Sequence, residues 1–101
     1  QIRDWIHVDD HCDAIWTLDK HNILNEKFNI GGGCELQNIQ VTKKILDILD
    51  KPNSLIGFSN ERPGVDKRYG TDFSKLTQRT GWIPTISFDK GLQETVEFYK
   101  Y

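Results

Sequence analysis

Arginine and asparagine side chains in this chain stand where anion chemistry is conceivable. Arg3 lies near the start beside Trp5, and Arg62 lies in the loop Asn60-Glu61-Arg62-Pro63-Gly64. Only four of the thirteen basic residues are arginine, so each stands out against a lysine-rich background. A guanidinium offers a planar donor fork that matches phosphate oxygens, and a loop arginine followed by proline is well held to use it. On residue type alone, a solvated arginine or a surface ion pair is the better reading of both. Asn29 sits between apolar Phe28 and Ile30, and strand alternation would turn its amide to the opposite face. Such an amide faces a ligand or satisfies a neighbouring backbone group, and the residues alone leave both open.

Two further clusters invite chemistry and support it less well. His7, Asp9, Asp10, His11 and Cys12 have the types of metal ligands. The histidines straddle a strand-to-helix break, however, and no second ligand cluster follows. Capping aspartates beside surface histidines are the expected reading, with no metal site. Cys12 has no identifiable activating base, so no nucleophile is assigned. Gly31-Gly32-Gly33 follows an extended stretch, as a dinucleotide loop would. The next helix starts only near Asn38 and no spaced glycine follows, so a turn or a close backbone approach is expected instead.

The elements that would position these groups alternate between strand and helix. Gln1 to Ile6 reads as a short strand. Asp9 or Asp10 is expected to cap a helix to about Lys20, with Ala14, Ile15 and Leu18 at helical spacing. Lys27 to Ile30 reads as a strand stopped by the glycines. Asn38 is expected to cap a helix to about Asp50, with Ile39, Thr42, Ile45, Leu46 and Leu49 inward and Pro52 beyond it. Leu55 to Phe58 is expected as a strand, and a short extended piece lies near Arg68 to Gly70. Asp72 is expected to cap a helix from Phe73 to about Thr80, ended by Gly81. Ser87 caps the last helix, whose stripe is Phe88, Leu92, Thr95, Val96 and Tyr99. The class is α/β, with short strands and about four helices.

Bulk properties bound the rest. A chain of 101 residues is one small domain or part of a larger one. A fold of this size buries only ~60–70% of its extended surface, so its stability is marginal. With 37% hydrophobic and 28% charged residues, the composition is that of a globular protein. A net charge of −2 disfavours nucleic acid as the main partner. No run approaches the ~20 apolar residues of a membrane span. Two cysteines, Cys12 and Cys34, do not make a disulfide scaffold and read as cytoplasmic thiols. The sequence contains no methionine and opens inside an extended stretch, so a segment of a longer chain is expected.

Taken in order, these segments resemble a known family. Arg3-Asp4-Trp5-Ile6-His7-Val8-Asp9-Asp10-His11, Phe28-Asn29-Ile30-Gly31-Gly32, Glu61-Arg62-Pro63-Gly64-Val65-Asp66-Lys67-Arg68-Tyr69 and Leu76 to Trp82 with Pro84 carry the resemblance. So does the closing run from Gly91 to Tyr99. The pattern is similar to the C-terminal third of dTDP-glucose 4,6-dehydratases, within the extended short-chain dehydrogenase/reductase superfamily. The Arg-Pro-Gly loop running into Asp-Lys-Arg-Tyr is its more dehydratase-like part.

The resemblance implies that residues 1–101 are a C-terminal nucleotide-sugar-binding segment of a Rossmann-like parent. NAD would be held by an N-terminal domain outside this chain. Arg3 and Arg62 would contact the nucleotide diphosphate, and Asn29 the nucleotide part of the substrate, dTDP-glucose or UDP-glucose. The family oxidises the sugar at C4, eliminates water across C5 and C6, and returns the hydride at C6. The Tyr-x-x-x-Lys pair and acid/base carboxylates for this lie upstream, so no catalytic residue is assigned here and the segment alone would be inactive. The parent is expected to be a cytoplasmic homodimer. Val65 stands where the family usually has histidine, and His7 where it has an aromatic, which leaves thymidine versus uridine open. The alternatives are a UDP-sugar dehydratase, epimerase or decarboxylase of the same superfamily, and a non-catalytic nucleotide-binding or interaction module.

Overall fold

A short central strand organises the molecule. The computed structural model describes residues 1–59 and 68–100, with Arg68 and Tyr69 described by their backbone. Strand β1 (Ile2–Asp4) lies in the middle of a three-stranded sheet. Strand β2 (Glu35–Gln37) pairs with it antiparallel, Arg3 opposite Leu36. Strand β3 (Arg68–Tyr69) pairs parallel, Arg3 opposite Tyr69. The ladder continues past β1, where the Trp5 N–H donates to the Cys34 carbonyl at 2.9 Å and the Trp5 indole to the Leu36 carbonyl at 3.2 Å.

Helix α1 (Val8–Lys20) follows β1, but neither aspartate caps it as expected. The cap is His7, whose Nδ1 accepts from the Asp9 N–H at 3.0 Å. His7 is not a surface histidine either: its side chain is only 9% exposed, and its Nε2 lies 3.6 Å from Glu94. Asp10 turns the other way. It is 3% exposed and accepts from the N–H groups of Thr85 and Ile86 and from the Thr85 hydroxyl, at 2.9 to 3.2 Å. Donors seventy-five residues along the chain draw this carboxylate inward, which no local rule anticipates.

The expected strand at Lys27–Ile30 is absent, and so is the one at Leu55–Phe58, where a single 3-10 turn covers Asn53–Leu55. Residues 27–32 run without a ladder partner, because the chain rejoins β1 only at β2. Side-chain burial still alternates there. Phe28 and Ile30 pack on the core, and Asn29 is exposed.

Helix α2 (Asn38–Leu49) is capped by Gln37 rather than Asn38, through a reciprocal capping box with Gln40. Its most buried residue is Val41, while Thr42, expected inside, is exposed and bonds back to the Asn38 carbonyl. The helix ends on Asp50 in left-handed conformation at φ 55°. Helix α3 (Ser74–Thr80) starts one residue later than expected, with the Asp72 carboxylate accepting from the Ser74 N–H, and Gly81 ends it at φ 80°. Helix α4 (Phe88–Tyr99) has Ser87 as its cap, as expected. The end of its expected stripe fails, since Thr95 and Tyr99 are exposed.

The core is thin. Ala14, Leu76 and Trp82 form it, with Ile6, Leu18, Phe28, Ile30 and Phe73 packed around them. Phe73 and Trp82 meet edge to face at 5.6 Å. The radius of gyration is 16.1 Å, and the extents are 49 × 34 × 19 Å. A compact chain of this length has a radius near ~13 Å, so the molecule is a flat slab. Helix α1 buries Ala14 and Thr17 on one side and shows Val8, Ile15 and Trp16 to solvent on the other.

Candidate functional site

Of the expected nucleotide-contacting residues, Arg3 and Asn29 lie on two adjoining pieces of backbone. Arg3 sits at the centre of β1, half-buried, with Nη1 donating to the Ile2 carbonyl at 3.1 Å. Central position in the sheet holds its Cα on both sides, which fixes the origin of the long side chain. Arg62 lies outside the described residues.

Asn29 is held differently. The extended segment that carries it crosses β1 through Gly31 and Gly32, and their close approach excludes side chains. A Cβ on Gly32 would overlap the Trp5 carbonyl oxygen and fall 2.8 Å from its carbon and 3.0 Å from the Ile6 Cα. A Cβ on Gly31 would overlap the Asp4 carboxylate and crowd Thr71 at 3.1 Å. Gly32 permits backbone-to-backbone packing, and Gly31 leaves room for the side chains of Asp4 and Thr71. Asp4 locks the crossing further, accepting from the Cys34 N–H at 3.0 Å. The Asn29 segment is thereby fastened to the strand that carries Arg3. The Asn29 side chain is exposed and makes no hydrogen bond among the described residues, so its amide is available to a ligand.

On its other side this segment meets α3, at a cluster the sequence did not signal. Arg79 Nη1 donates to both Glu26 oxygens at 2.8 and 3.1 Å, and Lys75 Nζ lies 3.3 Å from the same carboxylate. Lys75 and Arg79 are four apart and share a face of α3, but Glu26 is 53 residues from Arg79. The Arg79 hydrogen bond, and then that of Lys75, hold the Glu26 carboxyl below the usual range. The N–H of Ser74 does the same for Asp72. Burial, reinforced by Asp4, pushes the Cys34 thiol up.

The groups that resembled metal ligands disperse. His7 and Asp10 are engaged as described above, while Asp9, His11 and Cys12 are exposed. Among the described residues no group of three or more such side chains is placed to hold a metal ion. Nor is any described helix long and apolar enough to cross a membrane. A cleft of about 550 Å³ opens between α2 and α4, lined by Trp5, His7, Val41, Ile45, Phe88 and Leu92 among others.

The α/β fold is that of the matching part of short-chain dehydrogenase/reductase-type sugar-nucleotide dehydratases. It superposes on Bacillus anthracis dTDP-glucose 4,6-dehydratase in complex with NAD at a TM-score of 0.89 and 36% identity, covering 99% of this chain and 31% of that one. The Streptomyces venezuelae dTDP-glucose 4,6-dehydratase with NAD and TYD bound gives 0.91 and 37%, with the same coverage. Residues 1–95 match the family model for GDP-mannose 4,6 dehydratase, and the chain belongs to that family. Among curated relatives, the dTDP-glucose 4,6-dehydratase of Xanthomonas campestris pv. campestris is 42% identical over 98% of this chain and 31% of its own length. The chain thus spans about a third of the relatives it matches.

Proposed function

We propose that this chain is the nucleotide-sugar-binding part of an NAD-dependent dTDP-glucose 4,6-dehydratase, a lyase that makes the 4-keto-6-deoxy sugar. The observation that carries the reading is the continuous likeness to the Streptomyces venezuelae enzyme with NAD and TYD bound, over 99% of this chain. Residues 1–101 contribute binding. Arg3 and Arg62 supply charge-assisted donors to the diphosphate, and Asn29 supplies a neutral donor to the nucleotide. The exposed amide of Asn29, on a segment fastened to the strand of Arg3, supports that assignment.

The described residues do not fit NAD. Gly31 and Gly32 are consumed by packing on Asp4 and Trp5, which leaves no glycine cradle for a pyrophosphate at a helix start among the described residues. NAD and the reacting groups belong to sequence outside this segment, so the segment alone is inactive. The outer face of α1, with Val8, Ile15 and Trp16, is the surface that the rest of such an enzyme would cover. The full protein acts in the cytoplasm as a homodimer on this reading.

The test uses the full-length protein that carries this segment. Incubation with dTDP-glucose should yield the 4-keto-6-deoxy product, and UDP-glucose should be the poorer substrate. Arg3→Ala and Arg62→Ala should each weaken dTDP binding by about tenfold to a hundredfold, the scale of one hydrogen bond to a charged group. Unchanged affinity in both variants would sink the assignment.

A further inference from the structure

The backbone around Asn29 lacks a ladder on either side, so its placement rests on side-chain contacts and on the close approach of the two glycines. Residues 27–32 belong to no strand. Downstream, Ile30 packs on the core and the two glycines press onto β1. Upstream, contacts to successive residues converge on one face of α3. Lys75 Nζ approaches the Glu26 carboxylate at 3.3 Å, donates to the Lys27 carbonyl at 2.8 Å and lies 4.4 Å from the centroid of the Phe28 ring. Arg79 binds both oxygens of Glu26 and brings its Cζ to 5.8 Å from the same ring.

From this geometry we infer that Lys75 and Arg79 are positioning residues for the Asn29 amide. They hold the three residues immediately before it, as the glycines hold the residues after it. The inference rests on the reading that Asn29 contacts the nucleotide. Surface ion pairs of this exposure, 52% for Lys75, 44% for Arg79 and 36% for Glu26, contribute little to global stability. Here the carboxylate, carbonyl and ring come from consecutive residues, so the contacts restrict one stretch of backbone. Their effect is local order.

Trypsin supplies a ligand-free readout, because it cuts after Lys27, whose carbonyl Lys75 holds. In the full-length protein, the Lys75→Ala, Arg79→Ala double variant should be cut at Lys27–Phe28 about fivefold faster, the factor that exposed pairs of ordinary strength hold back. Its affinity for dTDP should fall by a similar factor. In an Asn29→Ala background the same pair of substitutions should cost no further affinity, and Lys75→Arg with Arg79→Lys should restore both readouts. An unchanged cutting rate, or losses that multiply with that of Asn29→Ala, would overturn the positioning role while leaving the nucleotide site standing. If Asn29→Ala alone leaves dTDP affinity intact, the site reading falls and the positioning role falls with it.

Discussion

Replacing Asp10 by alanine removes the acceptor for the Thr85 N–H, the Ile86 N–H and the Thr85 hydroxyl at once. Thr85 is exposed, so its hydroxyl can turn to water without loss. The peptide N–H groups are less free to do so, since they point at a carboxylate that is 3% exposed. Each stranded donor costs about 1–3 kcal/mol, and partial access to water lowers the sum to about 2–4 kcal/mol. A chain of this length has about 5–15 kcal/mol of stability in total, and the thin core places this one at the low end. Asp10→Asn retains one acceptor oxygen but turns an NH2 group toward N–H donors, so about 1–3 kcal/mol should be lost. Urea denaturation followed by circular dichroism measures both, with the m-value checking that the unfolding reaction is unchanged. The tether from α1 to the segment before α4 is refuted if Asp10→Ala loses less than about 0.5 kcal/mol at constant m.

Gly32→Ala sets a Cβ against the Trp5 backbone rather than against a movable side chain. It should cost about 3 kcal/mol, the upper end of overpacking, in a thermal melt, and an unshifted melting temperature would contradict the close crossing. The Glu26 and Asp72 carboxyls titrate below their usual range in the folded chain, so their contributions are complete above that range and vanish as pH falls through the folded values. Cutting at Lys27 normalised to a reference peptide should therefore be flat near neutrality, with local opening at Lys27 rising only in acid, as pH falls below the ordinary carboxylate range, measured with an acid-active protease. Exposed Cys12 should react with iodoacetamide well before Cys34, whose thiol is pushed up, and mass spectrometry of timed digests reads the order. Asp50→Gly relieves a left-handed residue at the end of α2 and should stabilise by up to about 1 kcal/mol in the same urea assay.

Helices were legible because their signals are local. Ser87, Gly81 and the periodic apolar residues act within a turn or two of themselves, and the bounds of α2, α3 and α4 follow to within a residue, while α1 is capped two residues or more before its expected aspartate. The Arg3 and Asn29 motifs, and the family they point to, were legible for the same reason, since each is a short run of fixed order. Asn29 even keeps its outward turn without a strand around it, because Phe28 and Ile30 on either side are drawn to the core.

What required the fold is everything joined across long stretches of chain. A carboxylate carries no mark of its partner, so the sequence could not send Asp10 to residues 85–86, or Glu26 to Arg79. Nor could it locate β2, since three residues of strand have too little pattern to show a period and exist only because β1 offers them an edge. Local propensity is written in neighbouring side chains, whereas hydrogen bonds between distant segments are chosen by which surfaces the packed chain brings within 3 Å of one another.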